Sequence, residues 1–261
     1  MNNLQFRGTT ITFNGINSSR YGLYLCNIDG GTDYFTRQFG TDRSITKENG
    51  TVHSIEHNTP VVSLQLVKLD NHNNPIPISK DELARISHWL FSPEEYKPLI
   101  VDQNSVVYYG MFISGEIWQN EYDKGYLTLE FELNGDHAYT ILQNSDFRVN
   151  GTRNVTINSR HTYGLYNEVD IEIKLASGQT GFTITNNTTG QTMTLSGLSN
   201  CTHIYIYNDG VKHIENVDNK SQNLRGNFNK VFIHLAYGTN QITLQGVGTV
   251  RFISQGKLLL T

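Results

Sequence analysis

Apolar and polar residues alternate with a period of two along most of this chain, the pattern of half-buried strands. Tyr126-Leu-Thr-Leu-Glu-Phe-Glu-Leu133 is the cleanest case: Leu127, Leu129, Phe131 and Leu133 point one way, and Tyr126, Thr128, Glu130 and Glu132 the other. Further strands are expected at 10–13, 21–25, 51–55, 61–69, 99–101, 106–113 and 115–118, with Asn14-Gly15 and Gly30-Gly31 as turns. One segment departs from this period. Ser79-Lys-Asp-Glu82 is a capping box, Leu83, Ile86 and Leu90 follow at helical spacing with Trp89 beside them, and Ser92-Pro93 closes the run. The spacing predicts one helix lying on a sheet.

Asn134-Gly135-Asp136 ends the Tyr126–Leu133 strand with turn residues, and a domain boundary is expected near 137–150, dividing the chain into domains 1–140 and 141–261. In the second half short alternating runs recur at 170–175, 181–185, 191–195, 203–207, 230–235, 241–244 and 248–253. Glycine- and asparagine-rich connectors such as Asn186–Gly190 and Asn208–Gly210 separate them, while all five prolines fall between residues 60 and 98. Regular short strands of this kind predict a β-sandwich. The fold class is therefore mainly β: a sandwich-like N-terminal domain with one helix, then a second β-sandwich.

The 261 residues are enough for two self-sufficient cores, and the two cysteines, Cys26 and Cys201, fall in different halves, so no bridge between them is expected. No run approaches the roughly 18 apolar residues of a membrane-spanning helix. The first residues lack the basic-then-apolar pattern of a secretory signal, so Asn-x-Ser/Thr triplets such as those at Asn17, Asn154, Asn187, Asn200 and Asn219 are read as products of composition. Charged residues are only 17% of the chain, which favours a surface that is buried in an assembly. Residues 1–140 carry ten Lys/Arg against seventeen Asp/Glu, a balance of −7, and residues 141–261 carry ten against seven, or +3. Neither half has the clustered basic footprint of a nucleic-acid binder, and no sequence-specific binding of nucleic acid is expected.

Candidate chemistry is sparse. His53-Ser-Ile-Glu56-His57 matches a zinc-peptidase spacing, but its neighbours favour a strand, where the two histidines would stand about 13 Å apart, too far to share an ion. Asp70-Asn-His-Asn-Asn74 places Asp and Asn as a calcium loop does, yet Pro75 occupies the required glycine position and Asp81 the place of the closing Glu, leaving a solvated turn. No nucleophile elbow, phosphate loop or paired-cysteine motif occurs, so no catalytic, metal or cofactor residue is assigned, and no enzyme is expected. Carbohydrate binding is the alternative that a β-sandwich invites. Tyr163, Tyr166, Tyr205, Tyr207 and Tyr237 are its candidate stacking platforms, whereas both tryptophans, Trp89 and Trp118, belong to the first half.

The order of these features resembles the distal tail protein (Dit) family of bacteriophages with long, non-contractile tails. The resemblance rests on Phe13-Asn-Gly-Ile-Asn-Ser-Ser-Arg-Tyr-Gly-Leu23, the helix ending Trp89-Leu90, Tyr96-Lys-Pro-Leu99, Tyr108-Tyr-Gly110 and Leu127–Phe131. In the second half it rests on Asn150-Gly151, Asp170–Ile173, Ser177-Gly178, Asn187–Gly190, Asn208–Gly210 and Gly238–Ile242. Between 26 and 50 the chain departs from the family pattern, in the region of the hairpin or arm that links neighbours. The resemblance implies a virion protein, made in the host cytoplasm, at the distal tip of the tail, forming a homohexameric ring with an open channel for DNA. It implies a galectin-like second domain outside the ring. The implied partners are sister copies, the major tail-tube protein, a tail-associated lysin or tail-fibre hub protein, and receptor-binding or baseplate proteins, without membrane insertion. The alternative remains a carbohydrate-binding adhesin acting in host-cell recognition.

Overall fold

The computed structural model describes residues 9–26, 39–45, 50–57, 60–101, 105–119, 125–135, 137–208 and 210–259, of which 39–45, 50–57 and 118–119 are described by their backbone. The fold is mainly β with antiparallel sheets. It divides into two compact units, residues 1–138 with 259–261, and residues 139–258. The Gly30-Gly31 turn lies outside the described residues.

The first unit is built from β1 (Ile11–Phe13), β2 (Ile16–Asn17), β3 (Leu23–Leu25), β4 (Phe39–Ile45), β5 (Gly50–His57), β6 (Val61–Lys68), helix α1 (Lys80–Phe91), β7 (Lys97–Val101), β8 (Val106–Gln119) and β9 (Gly125–Leu133), and β10 (His137–Thr140) leads out of it. Its main sheet runs β2-β1-β7-β8-β9-β6-β3, and β4 pairs with β5 as a separate ribbon. The two runs expected at 106–113 and 115–118 are one strand, β8, because an irregularity between Phe112 and Ser114 absorbs the break in alternation without ending the ladder to β9.

Helix α1 begins where its cap requires. The Ser79 side chain accepts from the Glu82 backbone N–H while Glu82 Oε2 accepts from the Ser79 N–H at 2.9 Å. Ile86, Trp89 and Leu90 enter the core, where Phe13, Phe112 and Phe131 meet edge to face at centroid distances of 4.9 to 5.9 Å. Trp89 donates its indole N–H to the Phe13 carbonyl at 3.1 Å, satisfying a polar group that burial would otherwise penalise.

The second unit contains β11 (Gln143–Ser159), β12 (Tyr166–Glu168), β13 (Asp170–Leu175), β14 (Phe182–Asn186), β15 (Gln191–Leu195), β16 (His203–Tyr207), β17 (His213–Asn216), β18 (His234–Ala236), β19 (Gly238–Ser254) and β20 (Lys257–Leu259), which returns to the first unit at Leu259. The stretch 137–150, the expected boundary, is strand on either side of a break at 141–142, and the division between the units falls at 138/139 within it. The runs at 241–244 and 248–253 are both parts of β19. Along one edge β19 pairs with β11 throughout; along the other it pairs with β14 over Ile242–Gln245 and with β13 over Gly248–Ile253.

That change of partner folds one ribbon into two leaves. At the corner Gly246 has φ 145°, and a Cβ there would stand 2.5 Å from the Phe182 ring; a Cβ on Gly248 would meet the Lys174 carbonyl at 2.2 Å. Only glycine fits either place. Phe182, Ile184, Met193 and Leu195 from one leaf and Ile171, Ile173, Ile204 and Ile206 from the other then share one core, so the unit is a sandwich.

The expected strand over 230–235 shrinks to β18, His234–Ala236. Lys230 sits at φ 64°, which breaks an extended run, and side-chain amides take over the ladder. Gln191 donates to the Phe232 carbonyl and accepts from the His234 N–H; Asn186 donates to the His234 carbonyl and Asn208 to that of Ile233. The asparagine-rich composition thus serves inside the protein as well as outside it.

Candidate interaction surfaces

The sequence-level metal candidates separate in the structure. Residues 53–57 lie within strand β5, not on a helix, so the helical face that the zinc spacing needs is not formed. Asp70 caps its own turn: Oδ1 accepts from the backbone N–H of His72 and of Asn74, each at 2.8 Å, which leaves it a turn-former. The Asn74 hydrogen bond in particular holds its carboxyl below the usual range. Among the described residues no three His, Cys, Asp or Glu side chains stand together as metal ligands. No described helix is long and apolar enough to cross a membrane. Cys26 and Cys201 are unbridged, and burial pushes the Cys26 thiol up to about 11.

The tyrosines singled out as platforms differ in what covers them. Tyr205 and Tyr207 stand side by side with centroids 4.3 Å apart, and His213 stacks on Tyr207 at 4.1 Å and 8°. Tyr207 is therefore occupied by neighbours on both sides. Tyr205 donates to Asp170 at 3.3 Å, and burial together with that carboxylate pushes its phenol up to about 12. Tyr166 lies against the His234 ring at 4.0 Å. Tyr237, 70% exposed, remains open, as does Leu165, 84% exposed.

Beside the tyrosine row, Glu172 gathers two cations and an imidazole. It shares a hydrogen bond with the His203 ring at 2.7 Å, pairs with Lys174 at 3.1 Å and receives Arg251 at 3.2 Å; Arg251 also reaches Asp146 at 2.7 Å. Burial pushes the Glu172 carboxyl up, and the hydrogen bonds from Lys174 and His203 outweigh it, so its pKa falls. Charges on this face neutralise one another.

The first unit is different. The alternation of β9 turns Glu130 and Glu132 away from the core, and register places Ser114 opposite Glu130 and Glu116 opposite Thr128. Ser114 donates to Glu130 at 2.7 Å and Tyr96 to Glu132 at 3.4 Å, but among the described residues no cation pairs with Glu116, Glu130 or Glu132. The outcome is a row of hydroxyls and unneutralised carboxylates on the outside of the sheet.

A cleft of about 570 Å³ opens elsewhere on the same unit, lined by Arg20, Tyr21, Glu82, Ala84, Arg85 and His88. The short 3₁₀ turn Ser18–Tyr21 forms one wall. It is fixed from inside: buried Ser18 donates to the Leu23 carbonyl at 2.8 Å and accepts from the Ile11 N–H at 3.2 Å, and Asn17 caps the turn through the Ser19 N–H. The next residue, Arg20, is thereby held at the surface. Tyr21 stacks on Trp89 at 5.0 Å, joining this wall to α1, which supplies Arg85 and His88. Nothing in the sequence pattern couples Arg20 to Arg85; the spacing of Arg85 and His88 on the exposed helix face is the only local signal.

Two family descriptions match the chain. "Phage tail protein N-terminal domain" covers residues 6–135, and "Phage tail C-terminal domain" covers residues 127–253. The chain belongs to the phage tail protein family. This is a family of structural tail proteins, not of enzymes, and it places the chain in the virion tail. No curated protein sequence matches the chain. Among solved structures the fold is similar to the Dit protein of phage SPP1, described as a paradigm of the hub adsorption apparatus in phages infecting Gram-positive hosts. That likeness has a TM-score of 0.63 at 12% identity and covers 95% of this chain and 98% of the other. It is also similar to a chain of the phage P2 baseplate in its activated conformation with calcium, with TM-score 0.53 at 9% identity, covering 97% and 99%. The fold of this phage tail protein is that of the Dit hub.

Proposed function

We propose that this phage tail protein is the hub at the distal end of a tail, six copies closing a ring that joins the tail tube to the host-adhesion apparatus and leaves a channel for DNA. The observation that carries the reading is the likeness to SPP1 Dit over 95% of the chain, spanning both units rather than one shared module. The first domain, residues 1–140, forms the annulus. A heterologous contact repeated about a closing rotation makes a ring, and the outer edges of the β4–β5 ribbon, which pair with no other strand among the described residues, offer backbone for such contacts.

The channel wall is acidic in this reading. The first domain carries −7 overall, a balance that suits a surface that DNA must slide past, because a basic wall would hold phosphates by releasing their counterions. The second domain, residues 141–261, is a galectin-like sandwich on the outside of the ring and a docking surface for receptor-binding or baseplate proteins. The tube protein sits above, and a tail-associated lysin or tail-fibre hub protein below. The chain is made in the host cytoplasm and assembles there.

A carbohydrate-binding adhesin is the alternative. Residues 141–261 contain no tryptophan, and of the candidate platforms Tyr207 is covered on both sides. A glycan array giving robust binding by this domain would revive that reading. Negative-stain microscopy of the purified chain tests the hub: six-lobed rings with a central hole are expected, and particles without a hole at every concentration would refute it.

A further inference from the structure

We infer that the cleft between the Ser18–Tyr21 turn and α1 receives carboxylate side chains from a second copy of this chain, and that this contact helps close the ring; the inference rests on the hub reading. Four observations carry it.

Arg20 and Arg85 line one cleft, both exposed, and neither guanidinium has a hydrogen-bond or ion-pair partner among the described residues. His88 adds a third nitrogen-bearing group. The carboxylate that belongs to the cleft does not answer them: Glu82 is taken by Lys68 at 2.6 Å and by the helix cap. The cleft is therefore cationic in a domain whose balance is −7.

The complementary charges occur on the same domain but do not reach the cleft. Glu94, exposed in the loop after α1, and Glu116, Glu130 and Glu132 on the sheet have no cation partner among the described residues. Unpaired cations in one place and unpaired carboxylates in another, on one folded unit, cannot satisfy each other within it. A second copy presented head to tail can, and such a contact is heterologous, the kind that closes rings. The paired guanidinium forks suit carboxylates, and the Tyr21–Trp89 stack gives the site a rigid base.

Sedimentation of the full chain tests this. The double variant R20E/R85E should need a protein concentration about tenfold higher or more for half-assembly, and should keep the melting temperature of the dissociated wild-type chain, because neither arginine has a partner within its own chain among the described residues. R20K/R85K, which keeps the charge, should assemble far better than R20E/R85E. Wild-type assembly should weaken as salt rises from about 50 mM to about 500 mM, and the R20E/R85E variant should show a shallower dependence. If wild type forms rings and R20E/R85E forms them equally well, the inference fails and the hub reading stands. If wild type stays a lone particle throughout, both fail together. If the substitutions abolish retention of a DNA fragment in a mobility assay while assembly is unchanged, the cleft is a phosphate site and the inference is overturned.

Discussion

At the scale of single residues, the protein relies on short polar side chains held in unusual places. Glu82 closes the α1 capping box and binds Lys68, and the Lys68 hydrogen bond with those from Ser79 lowers its pKa from about 4.5 to about 2. A carboxyl whose folded pKa is depressed contributes stability that is present above its unfolded value and lost as pH falls toward the folded one. Glu82→Gln should therefore lower stability at neutral pH and flatten the acid limb between about pH 4.5 and about 2, a difference that melting curves across that range would measure. The Cys26 thiol, pushed up to about 11, should react with a maleimide at neutral pH well below the rate of a free cysteine, which a timed mass shift would record. Ser79 and Glu82 were readable from sequence because a capping box is local. Asn186, Asn208 and Asn240 were not, because a buried amide that replaces a backbone partner looks, in sequence, like any loop asparagine.

Alternation located most of the elements, and where it misled, the cause lies in how strands bend. β8 and β19 each read as two strands because an irregularity at Phe112/Ser114 and the glycines at 246 and 248 interrupt the period without interrupting the ladder. The longest omission, β11, keeps Phe147, Val149, Val155 and Ile157 on one face, but Asn, Arg and Gly151 between them hide the pattern. The corner at Gly248 makes a sharp prediction. Gly248→Ala would drive a Cβ into the Lys174 carbonyl at a positive φ, and should destabilise the second unit by about 2 kcal/mol or more, visible as a lowered denaturant midpoint. At Gly178, where a Cβ meets nothing within 4 Å, the same exchange leaves only the strain of its φ of 80° and should cost less.

At the scale of the whole molecule, two hydrophobic cores form, one in each unit, and the chain passes between the units at 138/139 and again at 258/259. The ends of the second unit are tied together inside it: Thr140 donates its N–H to the Gly256 carbonyl at 2.8 Å and its hydroxyl accepts the Gly256 N–H at 2.9 Å. A fragment spanning 139–258 should accordingly fold alone with a cooperative melt, and a molten spectrum would count against that. The family was readable from the order of ordinary turn and strand motifs, none specific by itself. The cationic cleft was not, because Arg20 and Arg85 meet only through the Tyr21–Trp89 stack, which no period reveals. Native mass spectrometry of the full-length protein tests the central claim most directly: the hub account predicts a species of six 29.6 kDa chains that dissociates on dilution or added salt, and a mass of one chain under all conditions, alone and beside purified tube protein, would contradict it.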